Sequence, residues 1–189
     1  MPLRVIAGEL RGRSLATAEG RRVRPSSGLV RGAIFNVLQG LTEGADVLDL
    51  YAGSGALGIE ALSRGARRAV LVERDARSLE TMRRNIAALT LADRASVVNS
   101  DALGYLVGCG ERFDLVLADP PYDQKVAAEI LRVVSDRQLL REDGVLVIQH
   151  SSRDDAVPGA GALTLWKQKK HGKTAVDFYR SIILGNESL

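Results

Sequence analysis

Val47-Leu48-Asp49-Leu50-Tyr51-Ala52-Gly53-Ser54-Gly55-Ala56-Leu57-Gly58 opens as an apolar run and closes as a glycine-punctuated turn. Val47 to Tyr51 reads as a buried strand, and Leu57 to Arg64 as the helix that leaves the turn. The alternation continues downstream. Ala69-Val70-Leu71-Val72 is a strand, and residues 76–89 are a helix with Leu79, Met82 and Ile86 on one face. Ser96-Val97-Val98 and Asp114 to Ala118 are strands, residues 126–134 a helix, and Gly144 to Ile148 a further strand. Near-continuous apolar strands separated by helices require a parallel sheet covered on both faces.

Upstream, helical spacing at Leu29, Ala33 and Val37 predicts a helix over 29–39. It is entered through Arg24-Pro25-Ser26-Ser27-Gly28, where Pro25 disfavours helix before it and Ser26 or Ser27 caps the helix after it. Residues 3–23, short and glycine-punctuated, read as a β-hairpin or arm. Leu163-Thr164-Leu165-Trp166 and Val176 to Ile183 follow one another without a helix and read as antiparallel additions at one sheet edge. The expected division is a basic arm over residues 1–28 and one α/β domain over 29–189.

A chain of 189 residues buries enough surface to need no covalent staple, and with Cys109 as its one cysteine it has no internal disulfide. Two histidines far apart, His150 and His171, argue against a metal site. No apolar run approaches a membrane span, and the N-terminal stretch carries arginines where a signal peptide is apolar, so a cytoplasmic protein is expected. With no coiled coil or spare apolar helix, a monomer is expected. The charge is segregated: residues 1–31 hold seven arginines against two glutamates, and residues 165–180 hold four lysines and an arginine against one aspartate. Residues 32–164 are net acidic. Basic ends of this kind suit a polyanion, because Lys and Arg displace counterions from phosphates; they are equally what solvated terminal segments show.

In an open α/β sheet, ligands bind beyond the carboxyl ends of the strands. Gly53-Ser54-Gly55-Ala56-Leu57-Gly58 fits a nucleotide-type ligand, and Glu73 at the end of the next strand fits ribose hydroxyls. A dinucleotide site has the same pair of features. Asp49 tilts the choice. A carboxylate inside an apolar strand needs a partner, and an ammonium supplies one. Adenosylmethionine carries an ammonium and NAD does not, while a pyrophosphate is repelled. The competing reading of Asp49 is a carboxylate that caps the loop's own amides; for Glu73 and Asp101 it is an ordinary helix cap.

Asp119-Pro120-Pro121-Tyr122 follows the strand 114–118. Two prolines remove two amide donors and stiffen the backbone. The corner left is rich in acceptors, the Asp119 carboxylate and the Pro120 carbonyl, which suits a planar exocyclic amine. Accepting both of its N–H bonds localises the nitrogen lone pair, and the carboxylate stabilises the charge that develops on methylation. Tyr122 offers a stacking face to an unpaired or flipped base.

Taken in order, these motifs resemble the Rossmann-like amino-methyltransferases. Arg11-Gly12-Arg13, Arg24-Pro25 with Arg31 and Phe35-Asn36, Leu50 to Gly58, and Lys170-His171-Gly172 leading to Phe178-Tyr179 narrow the resemblance to the bacterial RsmD family. That resemblance implies a class I methyltransferase fold with a mostly parallel seven-stranded sheet and a short N-terminal hairpin. It implies S-adenosylmethionine as methyl donor and N2 of a guanine in 16S ribosomal RNA, alone or in a small-subunit particle, as acceptor. Asp49, Ala52, Gly53, Ser54, Gly55, Glu73 and Arg74 then hold the donor, with Asp101 and Ala102 at its adenine. Asp119, Pro120, Pro121 and Tyr122 hold the guanine amine. Arg11, Arg13, Arg24 and Arg31 grip RNA backbone. A DNA or other RNA amino-methyltransferase, an NAD-linked oxidoreductase and a non-enzymatic RNA-binding module remain the alternatives.

Overall fold

The computed structural model describes residues 3–17, 28–121 and 124–181. Arg24, Ser26, Ser27 and Tyr122, singled out above, lie outside the described residues. The elements in chain order are β1 (Leu3–Arg4), β2 (Ser14–Leu15), α1 (Gly28–Val37), β3 (Asp46–Leu50), α2 (Ala56–Ser63), β4 (Arg68–Glu73) and α3 (Ala76–Ala88). They continue as β5 (Ala95–Asn99), α4 (Ala102–Gly108), β6 (Phe113–Ala118), α5 (Gln124–Asp136), β7 (Leu140–Ser151), β8 (Gly159–Ala160), β9 (Leu163–His171) and β10 (Thr174–Ser181).

The main sheet has the order β5-β4-β3-β6-β7-β10-β9-β8. The pairs among β5, β4, β3, β6 and β7 are parallel, and those among β7, β10, β9 and β8 are antiparallel. Alternating strand residues divide into two cores. Val47, Leu115, Leu117, Val145 and Val147 pack with α1, α2 and α3; Leu48, Leu50, Val116, Leu146 and Ile148 pack with α4 and α5. Strand order reverses between β3 and β6, so the crevice beyond their carboxyl ends is the topological switch point.

The seven expected strands are present, with the two-residue β8 added at one edge. Three details differ from the sequence reading. Helix α4 was not foreseen, because its seven residues make only about two turns, include two glycines and are otherwise apolar all round, which declares no period. Strand β7 starts at Leu140, before its apolar stretch; a register shift between Phe113 and Leu115 and a left-handed Asp143 (φ 60°) mark the irregular start. In α1 the buried stripe is Val30, Arg31, Ile34 and Phe35, while Leu29 points outward. The spacing Leu29, Ala33, Val37 therefore picked the wrong face, because an arginine occupies a core position.

The hairpin of β1 and β2 is docked. Leu3, Val5 and Leu15 join the core formed by α1 and α2. Glu60 of α2 accepts the amides of Ile6 (2.8 Å) and Ala7 (3.1 Å), Ser63 Oγ accepts that of Leu10 (3.0 Å), and Asn85 of α3 accepts that of Ala16 (2.8 Å). Gly8 is left-handed (φ 82°), and a Cβ there would stand 1.7 Å from the Ser63 carbonyl oxygen. No helix among the described residues is long and apolar enough to cross a membrane.

Candidate active site

The chain leaves β3 through a left-handed Tyr51 (φ 57°) and turns on Gly53 (φ 56°) and Gly55 (φ 82°). The turn is pinned by the Ala52 amide on the Val72 carbonyl (3.1 Å) and by Asn85 Nδ2 on the Ser54 carbonyl (2.9 Å). Among the described residues a Cβ at Gly53 would meet only the Tyr51 carbonyl oxygen, at 3.9 Å, so none of them closes this side of the turn. At Gly58 the space is closed: a Cβ would lie 2.8 Å from Leu71 Cδ2 and 3.2 Å from Asp49 Oδ2. Gly58→Ala therefore forces α2 away from β4 and should cost about 1–3 kcal/mol in urea unfolding, as overpacked cores do.

Asp49 is buried beneath this turn. Its Oδ2 accepts the Gly58 amide at 2.8 Å, and its Oδ1 has no partner among the described residues. One oxygen thus caps the loop and helix, as the capping reading expects, and the other is uncommitted among the described residues. Burial pushes the carboxyl up to about 7; the charges of Asp119 and Glu73 push the same way, and the Gly58 N–H bond pulls against them.

Glu73 closes the next strand. Its Oε2 accepts the Gly53 amide (2.9 Å), and its Oε1 accepts the amides of Arg74 and Asp75 (2.8 Å each). Of about four lone-pair positions on a carboxylate, three are taken, leaving one for an incoming hydroxyl. Asp101 caps α4 through the Gly104 amide (3.0 Å) and meets Arg74 Nη1 at 3.4 Å. Ala102 opens α4 with its methyl group in the core. Tyr51 is half-buried; burial raises its phenol pKa, and the Asp101 and Arg74 charges act on it in opposite directions. Sequence reasoning gave it no role beyond the strand.

The corner after β6 lies against the turn after β3. Leu50 pairs with Ala118, and the Asp119 amide donates to the Leu50 carbonyl at 3.4 Å. Asp119 is half-buried, Pro120 buried and Pro121 exposed. Asp49, Glu73 and Asp119 therefore converge on one crevice from three neighbouring strands.

Of the arginines assigned to RNA, Arg24 lies outside the described residues, and Arg31 is not brought here. Arg31 is buried: Nη2 donates to the Arg4 carbonyl and Nε lies 3.5 Å from Glu60 Oε2. It ties the hairpin to α1 and α2, and its expected role on a phosphate is corrected accordingly. Arg11 and Arg13 are exposed at the hairpin tip. Arg13 Nη2 donates to the carbonyl of Ala88, the last residue of α3, and the Glu9 amide bonds the Ser63 carbonyl at the end of α2. Both contacts lie at the C-terminal ends of these helices, and Ala88 stands about one turn beyond Asn85 on α3. Asn85 was also missed. It joins the hairpin at Ala16 to the glycine turn at Ser54. Its one signal in the sequence was an amide next to Ile86 on the apolar face of α3.

Residues 3–180 match the family described as "Conserved hypothetical protein 95". The Bacillus subtilis protein named "Putative rRNA methyltransferase YlbH" is 35% identical over 181 residues, covering 94% of this chain and 98% of that one. The Escherichia coli K12 ribosomal RNA small subunit methyltransferase D is 34% identical over 179 residues, covering 94% and 89%. The solved structure described as "Putative methyltransferase yhhF" from Escherichia coli superposes with a TM-score of 0.86 at 33% identity, covering 96% of this chain and 98% of that one.

Proposed function

The chain belongs to the RsmD family of ribosomal RNA methyltransferases, and from that premise we propose that it transfers a methyl group from S-adenosylmethionine to N2 of a guanine in 16S ribosomal RNA. The observation that carries this reading is the contact of the Asp119-Pro120 corner with the β3 turn, held by the Asp119 amide on the Leu50 carbonyl. Of the more distant structures of this fold, one from SMU.776 is a complex with S-adenosylhomocysteine, the product of such a transfer.

The residues fit the methyl donor. Asp49 Oδ1 is a buried acceptor without a protein partner, suited to an ammonium, and the open side of Gly53 admits a ligand against the backbone. Glu73 keeps one acceptor position for a ribose hydroxyl, one fewer than its sequence position promised. Asp101, with Arg74 beside it, borders the adenine end. Bound there, the sulfonium supplies an electrophilic methyl carbon.

The work of the protein is on the acceptor. A guanine amine is a weak nucleophile because its lone pair is delocalised into the ring. The Asp119 carboxylate and the Pro120 carbonyl take its two N–H groups and turn the lone pair outward. Asp119 then stabilises the positive charge growing on nitrogen, and the proton leaves during or after transfer. No general base is needed ahead of transfer; alignment does most of the work. The target base must be unstacked to enter the crevice.

Asp49 gives this reading a pH signature. Its carboxyl is raised from an ordinary 3.8 to about 7, so the folded protein holds that proton more tightly than the unfolded chain. The stability it contributes is present below about pH 4 and lost as pH rises through about 7. Donor binding needs the ionised form and strengthens over the same upper range. Asp49→Asn should therefore raise the melting temperature of the ligand-free protein at pH 8 by at least about 2 °C. The same substitution should weaken donor binding at least about tenfold, the worth of one charged hydrogen bond. Calorimetry and thermal unfolding on one preparation check both.

The test of the function is transfer of labelled methyl from S-adenosylmethionine to small-subunit ribosomal RNA taken from cells lacking this protein, with DNA in parallel. Label in the RNA alone is expected. Label in DNA alone supports a DNA amino-methyltransferase and overturns the proposal.

A further inference from the structure

We infer that the turn end of the β9–β10 hairpin, with Lys169, Lys170 and Lys173, is the surface that holds the ribosomal RNA backbone beside the catalytic corner. The inference rests on the ribosomal RNA reading above and names where that substrate lies.

Register places these lysines. Ala118 pairs with Ile148, Ile148 with Asp177, and Asp177 with Gln168. The last residue of β6 is thus level, across the sheet, with Gln168 of β9. One step further along each strand stand Asp119 on one side and Lys169 on the other. Strand β9 runs in the direction of β6, because two antiparallel pairings separate it from β7. Lys169, Lys170, His171 and Lys173 therefore rise from the same edge as the Asp119-Pro120 corner. Three strand spacings of about 4.8 Å separate β6 from β9, roughly 14 Å, a distance spanned by a few nucleotides of single strand.

Pairing sets these side chains apart from many of the other surface cations, though Arg11, Arg77, Arg83 and Arg153 are likewise exposed with no ion pair among the described residues. Arg67, Arg68 and Arg141 are paired with Asp46, Arg74 with Asp101, Arg94 with Glu9, and Arg132 with Asp136. Lys167 and Arg180 lie over the Trp166 ring. Lys169, Lys170 and Lys173 are exposed and have no carboxylate within ion-pair distance among the described residues.

Lysines also guard open sheet edges, and β9 is open past Thr164, where its pairing with β8 ends. Edge protection alone does not account for their distribution. The half of β9 remote from the site reads Leu163-Thr164-Leu165-Trp166, and the lysines begin at Lys167 and gather toward the catalytic edge. Unpaired cations graded toward a site that takes a nucleobase suit a phosphate backbone. The hairpin tip carrying Arg11 and Arg13 is tied to the C-terminal ends of α2 and α3, and Arg13 Nη2 is engaged by the Ala88 carbonyl.

The test compares three proteins for binding to small-subunit ribosomal RNA across a salt series: wild type, a triple Lys169→Gln, Lys170→Gln, Lys173→Gln variant, and an Arg11→Gln, Arg13→Gln double variant. Each single-strand phosphate contact contributes about 0.7 to the slope of log affinity against log salt, so the triple variant should lose about 2 from its slope and at least about tenfold in affinity at low salt. The double variant should match wild type. Lysine-to-arginine exchange at the same three positions should retain the slope, and all variants should bind S-adenosylmethionine normally. A full wild-type slope in the triple variant overturns the inference, the more so if the double variant loses slope. Wild type that binds S-adenosylmethionine but shows no salt-dependent affinity for ribosomal RNA defeats the functional reading itself, and the hairpin surface falls with it.

Discussion

Asp119→Ala should lower methyl transfer to ribosomal RNA by about 10²–10³-fold while S-adenosylmethionine affinity stays within a few fold of wild type; removal of one preorganised electrostatic partner of a transition state has this scale. The asymmetry between the two readouts follows from position. In the proposed function Asp119, just past β6, serves the acceptor and Asp49 and Glu73 serve the donor, so deleting the carboxylate would strip the amine of its partner and leave the donor's contacts in place. A second effect accompanies the first. The Asp119 charge is one cause of the raised Asp49 carboxyl. Without it the Asp49 pKa falls, and the pH above which donor binding is full moves down. Equal losses in donor affinity and transfer rate would mean that Asp119 serves the cofactor and not the amine.

Glu60→Ala should destabilise the protein by about 3–5 kcal/mol, the cost of stranding a buried charge. Glu60 is fully buried on α2; it accepts from the Ile6 and Ala7 amides and from Arg64 Nε at 2.8 Å, and its Oε2 lies 3.5 Å from Arg31 Nε as an ion pair. Burial lowers the Arg31 pKa, Glu60 raises it and Arg64 lowers it, so losing the glutamate leaves two guanidiniums facing each other without a counter-charge. For a chain of this length each kcal/mol moves the melting temperature by about 2–4 °C, so a fall of roughly 10 °C is expected. Replacing Arg31 as well, Arg31→Met with Glu60→Leu, should recover only the part of the loss due to the Arg31 charge, since the Ile6 and Ala7 amides and Arg64 still lose their acceptor. A Glu60→Ala protein melting within 2 °C of wild type would show that the hairpin and α1 are held by packing alone.

Most of the site was legible before any coordinates, and for an identifiable reason. Asp49, Glu73 and Asp119 each stand just inside or at the end of an apolar strand, where a carboxylate is anomalous, and the order of strands and helices sends those strand ends to one edge. Their convergence at the β3–β6 crevice needed only the rule for where an open parallel sheet binds ligands. What stayed hidden depends on which face a residue turns inward. Arg31 reads as a surface cation in any sequence; only the docked hairpin, with its carbonyl and Glu60, makes an interior position tolerable. Leu29, apolar and exposed, misled the phase of α1 for the same reason. Asn85 acts through the backbone of two neighbouring segments, and Tyr51 shapes the turn through its own left-handed backbone; no periodicity reveals either. The sharing of Glu73 among three amides follows from the path of the β4–α3 turn, and the sequence carries no trace of it.

The central claim is that the acceptor corner after β6 makes an exocyclic amine the nucleophile. The measurement that tests it most directly is the identity of the methylated nucleoside released by digesting ribosomal RNA after reaction with the purified protein and methyl-labelled S-adenosylmethionine. Label in N2-methylguanosine is the predicted result. Label on a ring nitrogen, a base carbon or a ribose oxygen would contradict the account, because none of those acceptors presents two N–H groups to Asp119 and Pro120.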